Sequence, residues 1–258
     1  MRPEERRDLI VDMLREGAPI SVDALAIKLS ASQETVRRDL AALARRGLIR
    51  KFHGGASLPE PAGENAFHAR MSEHPREKRA VARAAAALFG PGDTLLVDTG
   101  TTTVMFAEEL ARGGGLTVVT NSLTIAQLMG GSGNRAYLVG GEYRDGAAQT
   151  LGALAVDQIA RFHAAHAVLT VGALDLGGIM DFDLGETEVA RAMIAQAQTI
   201  TVIADSSKLG RRGLFEVCPL ARIDRLVVDR AVDGQLGLAL RAARVEIIVA
   251  DRHVPGRR

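Results

Sequence analysis

The chain has 258 residues, 47% of them apolar and 24% charged, which supplies material for one or two cores and leaves no case for bulk disorder. Its formal net charge is +1, from 32 Lys and Arg against 31 Asp and Glu, so a whole-chain basic signature for nucleic acid is missing. A single cysteine, Cys218, excludes an intrachain disulfide and a Cys-rich zinc site, and six scattered histidines disfavour a His-based metal site. Aromatics are 3% with no Trp, which disfavours stacking platforms for single-stranded nucleic acid. The opening residues hold no apolar stretch of the secretory kind, and no uncharged apolar run reaches the length of a membrane span. The expectation is a soluble, cytoplasmic protein with no membrane partner.

Up to about Leu58 the pattern predicts three short helices and a turn-rich tail. Pro3 opens the first, with Leu9, Ile10, Met13 and Leu14 at helical spacing up to Gly17. Ser21 is placed to cap the second, whose stripe is Val22, Leu25, Ala26 and Leu29. The third runs from about Gln33 to Arg46 and stops at Gly47. A strand-like segment, 48–52, then leads into the turn His53, Gly54, Gly55.

On the third helix, at about 100° per residue, Leu40 and Leu43 fall within about 40° of Val36 and form a core stripe. Arg38 and Arg45 lie opposite, with Glu34 and Ala41 beside them and Thr35 and Arg37 on the flanks. A short-chained, arginine-bearing outer face is what a helix entering a major groove presents. The amides behind Ser21 are placed to hold a phosphate, and Lys51 and His53 to reach the DNA backbone or minor groove. Residues 1–53 carry eleven Lys and Arg against eight Asp and Glu, net +3, leaving 21 against 23, net −2, for the rest. The bland alternative is a small helical domain for protein contact with solvating arginines. Asp39 reads as structural, pairing with a neighbouring arginine.

Residues 59–71 have the Pro- and Gly-rich composition of a linker between a first domain, 3–58, and a second, 72–252. Beyond it, apolar runs at 94–97, 116–120, 136–139, 167–171, 200–204, 226–228 and 245–249 alternate with helical stretches at 102–111, 122–129, 154–162, 186–197 and 235–242. Continuous apolar strands alternating with helices predict a mainly parallel sheet covered on both faces, with ligands bound beyond the strands' carboxyl ends.

The loops at those ends carry the candidate chemistry. Asp98, Thr99, Gly100, Thr101, Thr102 and Thr103 form either an anion cradle at a helix start or an ordinary strand–helix turn with threonine caps. They match neither a Walker A loop nor the dinucleotide glycine pattern, so neither ATP nor NAD is favoured and no cofactor is expected. Thr120, Asn121 and Ser122 offer a second polar loop, or simply a helix cap. Gly140, Gly141 and Arg144 offer a third, or a surface arginine in a glycine loop. Asp205 and Lys208 read equally as a ligand clamp and as an ion pair. Gly172 lets a ligand or backbone approach. Asp181 and Asp183 bind sugar hydroxyls or end a turn, while Glu186 and Glu188 suit a helix start whatever the function.

Ser32, Gln33, Glu34, Thr35, Val36, Arg37, Arg38, Asp39 and Leu40, followed by the wing from Gly47 through His53, Gly54, Gly55 and Ala56, resemble the DeoR family of bacterial transcription regulators. The order of the later loops resembles the sensor domain of that family, which in turn resembles ribose-phosphate isomerase-type α/β folds. The resemblance covers about residues 3–250. It implies a winged helix-turn-helix and an α/β sensor in a homo-oligomeric, non-enzymatic regulator. The implied partners are duplex operator DNA and a phosphorylated sugar or related metabolite. It assigns DNA contact to Ser21, Ser32, Gln33, Thr35, Arg37, Arg38, Lys51 and His53. It assigns effector contact to Asp98, Gly100, Thr101, Thr102, Thr103, Thr120, Asn121, Ser122, Gly140, Gly141, Arg144, Gly172, Glu188 and Lys208. Two departures stand out: Ala190, where family members often carry a basic residue, and Asp181, Phe182 and Asp183, which replace a Thr/Pro/Asn-like stretch. A fused isomerase is the rival reading, with Asp98, Asp205 and Lys208 as acid–base groups. The spacing shows no second carboxylate-rich motif for proton abstraction.

Overall fold

A computed structural model describes residues 3–15, 20–45, 49–52, 54–57 and 67–250. The chain divides into two compact units, Met1–Ala62 and Gly63–Arg258.

The first unit holds α1 (Pro3–Arg15), β1 (Ile20–Ser21), α2 (Val22–Lys28), α3 (Gln33–Arg45), β2 (Arg50–Phe52) and β3 (Gly55–Ser57). Ile10, Val11 and Leu14 of α1, Val22, Leu25 and Leu29 around α2, and Val36, Leu40 and Leu43 of α3 close one core with Ile49 and Ala56. Leu9, expected in that core, is 40% exposed, and Val11 takes its place. The strands pair antiparallel in the order β1-β3-β2, and Gly54, at φ +91°, makes the turn of the β2–β3 wing.

The second unit is a seven-stranded sheet with helices on both faces. In chain order its elements are α4 (Phe67–Ser72), α5 (Pro75–Ala86), β4 (Thr94–Val97), α6 (Thr101–Leu110), β5 (Thr117–Thr120), α7 (Leu123–Gly130), β6 (Arg135–Leu138), β7 (Glu142–Arg144), β8 (Gln149–Leu151), α8 (Ala153–Ile159), β9 (Ala164–Leu169), β10 (Ala173–Asp175), β11 (Gly178–Asp181), α9 (Leu184–Ala195), β12 (Ala197–Ala204), β13 (Phe215–Cys218), β14 (Arg225–Val228), α10 (Gly234–Ala242) and β15 (Glu246–Val249). The main sheet runs β15-β14-β12-β9-β4-β5-β6, and every pairing in it is parallel.

Alternation along β4 sends Leu95 and Val97 into the core shared with α5, α6 and α7, and Leu96 into the core shared with α8, α9 and α10. All seven apolar runs expected as strands lie in this sheet. Outside those expectations are α5, the β7–β8 hairpin and a small antiparallel sheet, β10-β11-β13. Residues 67–71, read as linker, belong to α4, whose Phe67 and Met71 pack against the core under α5 and α6.

The order of the strands sets the site. From β4 the chain moves outward through β5 to β6, and from β9 it moves the other way through β12 to β14 and β15. Between β4 and β9 the loops leave in opposite directions and open a crevice at the strands' carboxyl ends.

Candidate functional site

In the first unit Ser32 Oγ accepts from the Thr35 amide at 3.2 Å and lies 2.8 Å from Thr35 Oγ1, which fixes the start of α3. Ser21 caps α2 by accepting from the Ala24 amide at 3.1 Å. Arg37 and Arg38 are exposed, each over a residue one turn earlier: Arg37 on Gln33 at 3.5 Å and Arg38 on Glu34 at 3.3 Å. Arg38 and Glu34 stay 78% and 63% exposed, so water and salt screen that pair and the guanidinium is available at the surface. Asp39 does the opposite work. It is 2% exposed and accepts from Arg6 at 2.6 Å and Arg7 at 2.9 Å, both on α1 rather than beside it in sequence. The Arg-Arg-Asp run therefore splits between a presented face and an internal clamp. The Lys51 side chain and His53 lie outside the described residues.

In the second unit a cavity opens at the β4–β9 switch. Asp98 and Thr99 after β4, Asn121 after β5, Gln149 of β8, and Thr170 and Val171 after β9 line it. Arg70 of α4, Asp181 of β11, Val217 of β13, and Glu186, Val189 and Ala190 of α9 complete the wall. Asp98 is 8% exposed and accepts from the Thr170 amide, at 3.0 Å on Oδ1 and 3.3 Å on Oδ2. Burial holds its carboxyl well above the usual range; the Thr170 amide opposes this, and the Asp181 and Glu186 charges add to it. Burial likewise pushes Glu186 up to about 7, with Asp181 adding and the hydrogen bond from Gln149 opposing. That bond, from Gln149 Nε2 to Glu186 Oε1, is 2.5 Å. Asn121 accepts from Thr99 Oγ1 at 3.0 Å and donates one N–H to the Thr150 carbonyl at 3.1 Å.

Of the fourteen residues expected at the effector, Asp98 and Asn121 line this cavity. Several others do local work. A Cβ on Gly100 would stand 2.0 Å from Thr170 Cγ2, so that glycine admits a neighbouring strand end. Gly172 faces the Phe182 ring at 2.9 Å and Gly141 the Leu151 carbonyl at 2.5 Å from the same ideal position. The Gly140 amide donates to Gln158 Oε1 at 2.9 Å. Thr101, Thr102 and Thr103 are buried in the first turn of α6, where Thr103 Oγ1 donates to the Gly100 carbonyl at 3.0 Å. Thr120 Oγ1 accepts from the Ser122 amide, and Ser122 in turn caps α7. Arg144 pairs with Asp183 at 2.7 Å. Glu188 is exposed; Glu186, Val189 and Ala190, at helical spacing, are the residues α9 turns inward.

Lys208 sits in the short turn Ser206–Lys208, outside the lining, next to a group that spacing did not flag. Lys78 of α5 is 3% exposed and donates to the Arg70 carbonyl at 2.5 Å. Burial lowers its ammonium, the Asp205 charge opposes this, and Lys208 and Arg70 reinforce it. Asp205 accepts from the Ser207 amide at 3.0 Å, and its Oδ2 is buried without a hydrogen bond. No second carboxylate-rich motif stands in the sequence, yet the fold brings Asp98, after β4, to one wall with Asp181 at the end of β11 and Glu186 at the start of α9. Arg70 and Gln149 are the missed residues of most consequence, and neither sits in a glycine, hydroxyl or strand-end pattern that would mark it.

Residues 6–62 match the DeoR-like helix-turn-helix domain, and residues 73–230 match the DeoR C terminal sensor domain. The chain is 31% identical over 231 residues to the glycerol-3-phosphate regulon repressor of Escherichia coli (strain K12), covering 89% of this chain and 92% of that one. It is 32% identical over 246 residues to the HTH-type transcriptional repressor CsqR of the same organism, covering 95% and 94%. A ribose 5 phosphate isomerase A from Neisseria gonorrhoeae overlaps 52% of this chain and 53% of its own at TM-score 0.38 and 18% identity.

Proposed function

The chain belongs to the DeoR family of transcriptional repressors, and on that premise we propose that it represses genes of carbohydrate metabolism until a phosphorylated sugar or related metabolite occupies the β4–β9 cavity. The observation that carries this reading is the placement of Asp98, Asn121, Thr170 and Glu186 around one crevice at the sheet's switch point. Arg38, Arg37 and Thr35 of α3 read or position at the major groove of a duplex operator, with the Ser21 cap region and the wing on the backbone. The working form is a homo-oligomer, which places two such heads on paired half-sites.

Release by the effector requires a differential affinity of about 1–3 kcal/mol between two states. The proposed signal passes through the segment 57–90, whose Arg70 lines the cavity. The test is fluorescence anisotropy on labelled upstream DNA across a salt series, with and without sugar phosphates. A steep salt slope, sequence preference and ligand-dependent release are expected; equal affinity for unrelated DNA defeats the reading. The three gathered carboxylates favour one second reading, a sugar-phosphate isomerase activity. Incubation with ribose 5-phosphate decides it, since turnover to an isomer would establish catalysis.

A further inference from the structure

The hydrogen-bonding valences of the cavity wall are lopsided. Among the described lining residues there are three carboxylates, Asp98, Asp181 and Glu186, and one cation, Arg70. Thr99 donates to Asn121 Oδ1, and Asn121 and Gln149 each spend one of their two amide N–H groups on a protein acceptor. Gln149 is 3% exposed, and its Oε1 is buried with no hydrogen-bond partner. A buried acceptor left without a donor carries a desolvation cost that an incoming donor removes. The neighbouring Glu186 carboxyl shows the same imbalance, since burial and the Asp181 charge raise it to about 7.

Taking the cavity as the effector site, we propose that it binds the end of the effector distal to the phosphate, that this end must donate hydrogen bonds, and that a protonated amine is preferred over a hydroxyl and a carboxylate is rejected. An ammonium only donates, which matches Gln149 Oε1, Glu186 and Asp98 together. A hydroxyl donates one hydrogen bond where an ammonium donates three, and it brings no positive charge to Asp181 and Glu186. A carboxylate would bring a further negative charge to a wall where Asp98 and Glu186 already hold their protons more tightly than usual, and such a charge is disfavoured there.

The test uses the full chain and isothermal calorimetry at pH 7.5 with two matched sets. One is glucosamine 6-phosphate, glucose 6-phosphate and 6-phosphogluconate; the other is serinol phosphate, glycerol 3-phosphate and 3-phosphoglycerate. In whichever set binds, the amine should bind tightest and the acid about tenfold or more weaker than the hydroxyl form. Glu186→Gln, with its melting temperature measured alongside, should erase the amine's advantage while keeping the hydroxyl form bound. An acid that binds as tightly as its hydroxyl counterpart overturns this inference alone, as does an amine preference that survives Glu186→Gln. If none of the six binds, the phosphorylated-sugar reading of the site falls, and this inference falls with it.

Discussion

The methyl Cγ2 of Thr170 occupies the place where a side chain on Gly100 would begin, 2.0 Å from the ideal Cβ position. Gly100 has φ −175°, an extended conformation open to any residue, so space rather than backbone freedom requires the glycine. Gly100→Ala should therefore overpack the junction of α6 with the end of β9 and cost about 1–3 kcal/mol in denaturant unfolding. Thr170→Ser removes the offending methyl, and the double variant should recover most of the loss. A Gly100→Ala protein of unchanged stability would show that the junction yields.

Glu186 makes stability fall as pH rises. Its carboxyl goes from an ordinary 4.5 to about 7 in the folded chain. The favourable contribution is complete below about 4.5 and is lost as pH climbs through about 7, because the folded state then gives up a proton the unfolded state has already released. The change amounts to at most about 3 kcal/mol. Asp98, also raised, acts in the same direction. Urea unfolding from pH 5 to 8 should show a declining stability that is visibly flatter in Glu186→Gln.

Adjacent residues of α3 should give opposite phenotypes. Arg38→Ala removes an exposed guanidinium and should weaken specific DNA binding while leaving the melting temperature within about a degree. Asp39→Ala strips the partner from Arg6 and Arg7 at a site that is 2% exposed, and should destabilise the first unit by about 2–3 kcal/mol. Calorimetric melting together with anisotropy separates the two. Normal operator binding by Arg38→Ala would remove it from the recognition face.

Lys78→Met keeps the volume of a buried side chain but removes the donor to the Arg70 carbonyl and the charge facing Asp205. It should destabilise the second unit by about 1–3 kcal/mol and weaken effector binding through the displaced α4. Thermal unfolding with and without a sugar phosphate measures both effects.

The legible part of the fold is the part with strong periodicity. The seven apolar runs pointed to the seven central strands because a strand buried on both faces is apolar throughout, and Val36, Leu40 and Leu43 marked the inner face of α3 because one stripe of that helix must be dry. The β7–β8 hairpin left no such mark, since β7 is exposed along its length and each strand spans three residues. In α5 the inner face is built of Ala80, Val81, Ala82, Ala85 and Lys78, mostly small residues with one charge among them, which carry little apolar signal. Glu188 seemed as plausible as Glu186 because both lie in the first turns of a helix, and only the rotation of α9 against the sheet separates them.

By itself the sequence determined the two-unit plan, the helix α3 with its outward arginines, the parallel sheet and the loops at its carboxyl edge. A net charge of +1 resolved into a basic head and a slightly acidic remainder as soon as it was divided along the chain. Tertiary structure decided the composition of the pocket. Arg70, Asp98, Gln149, Asp181 and Glu186 are scattered over 117 positions of chain, 70 to 186, and converge because strand order reverses between β4 and β9. Which hydroxyls and glycines serve a ligand, and which serve a cap or a close approach, depends on neighbours brought in from other strands, and local spacing holds no record of those.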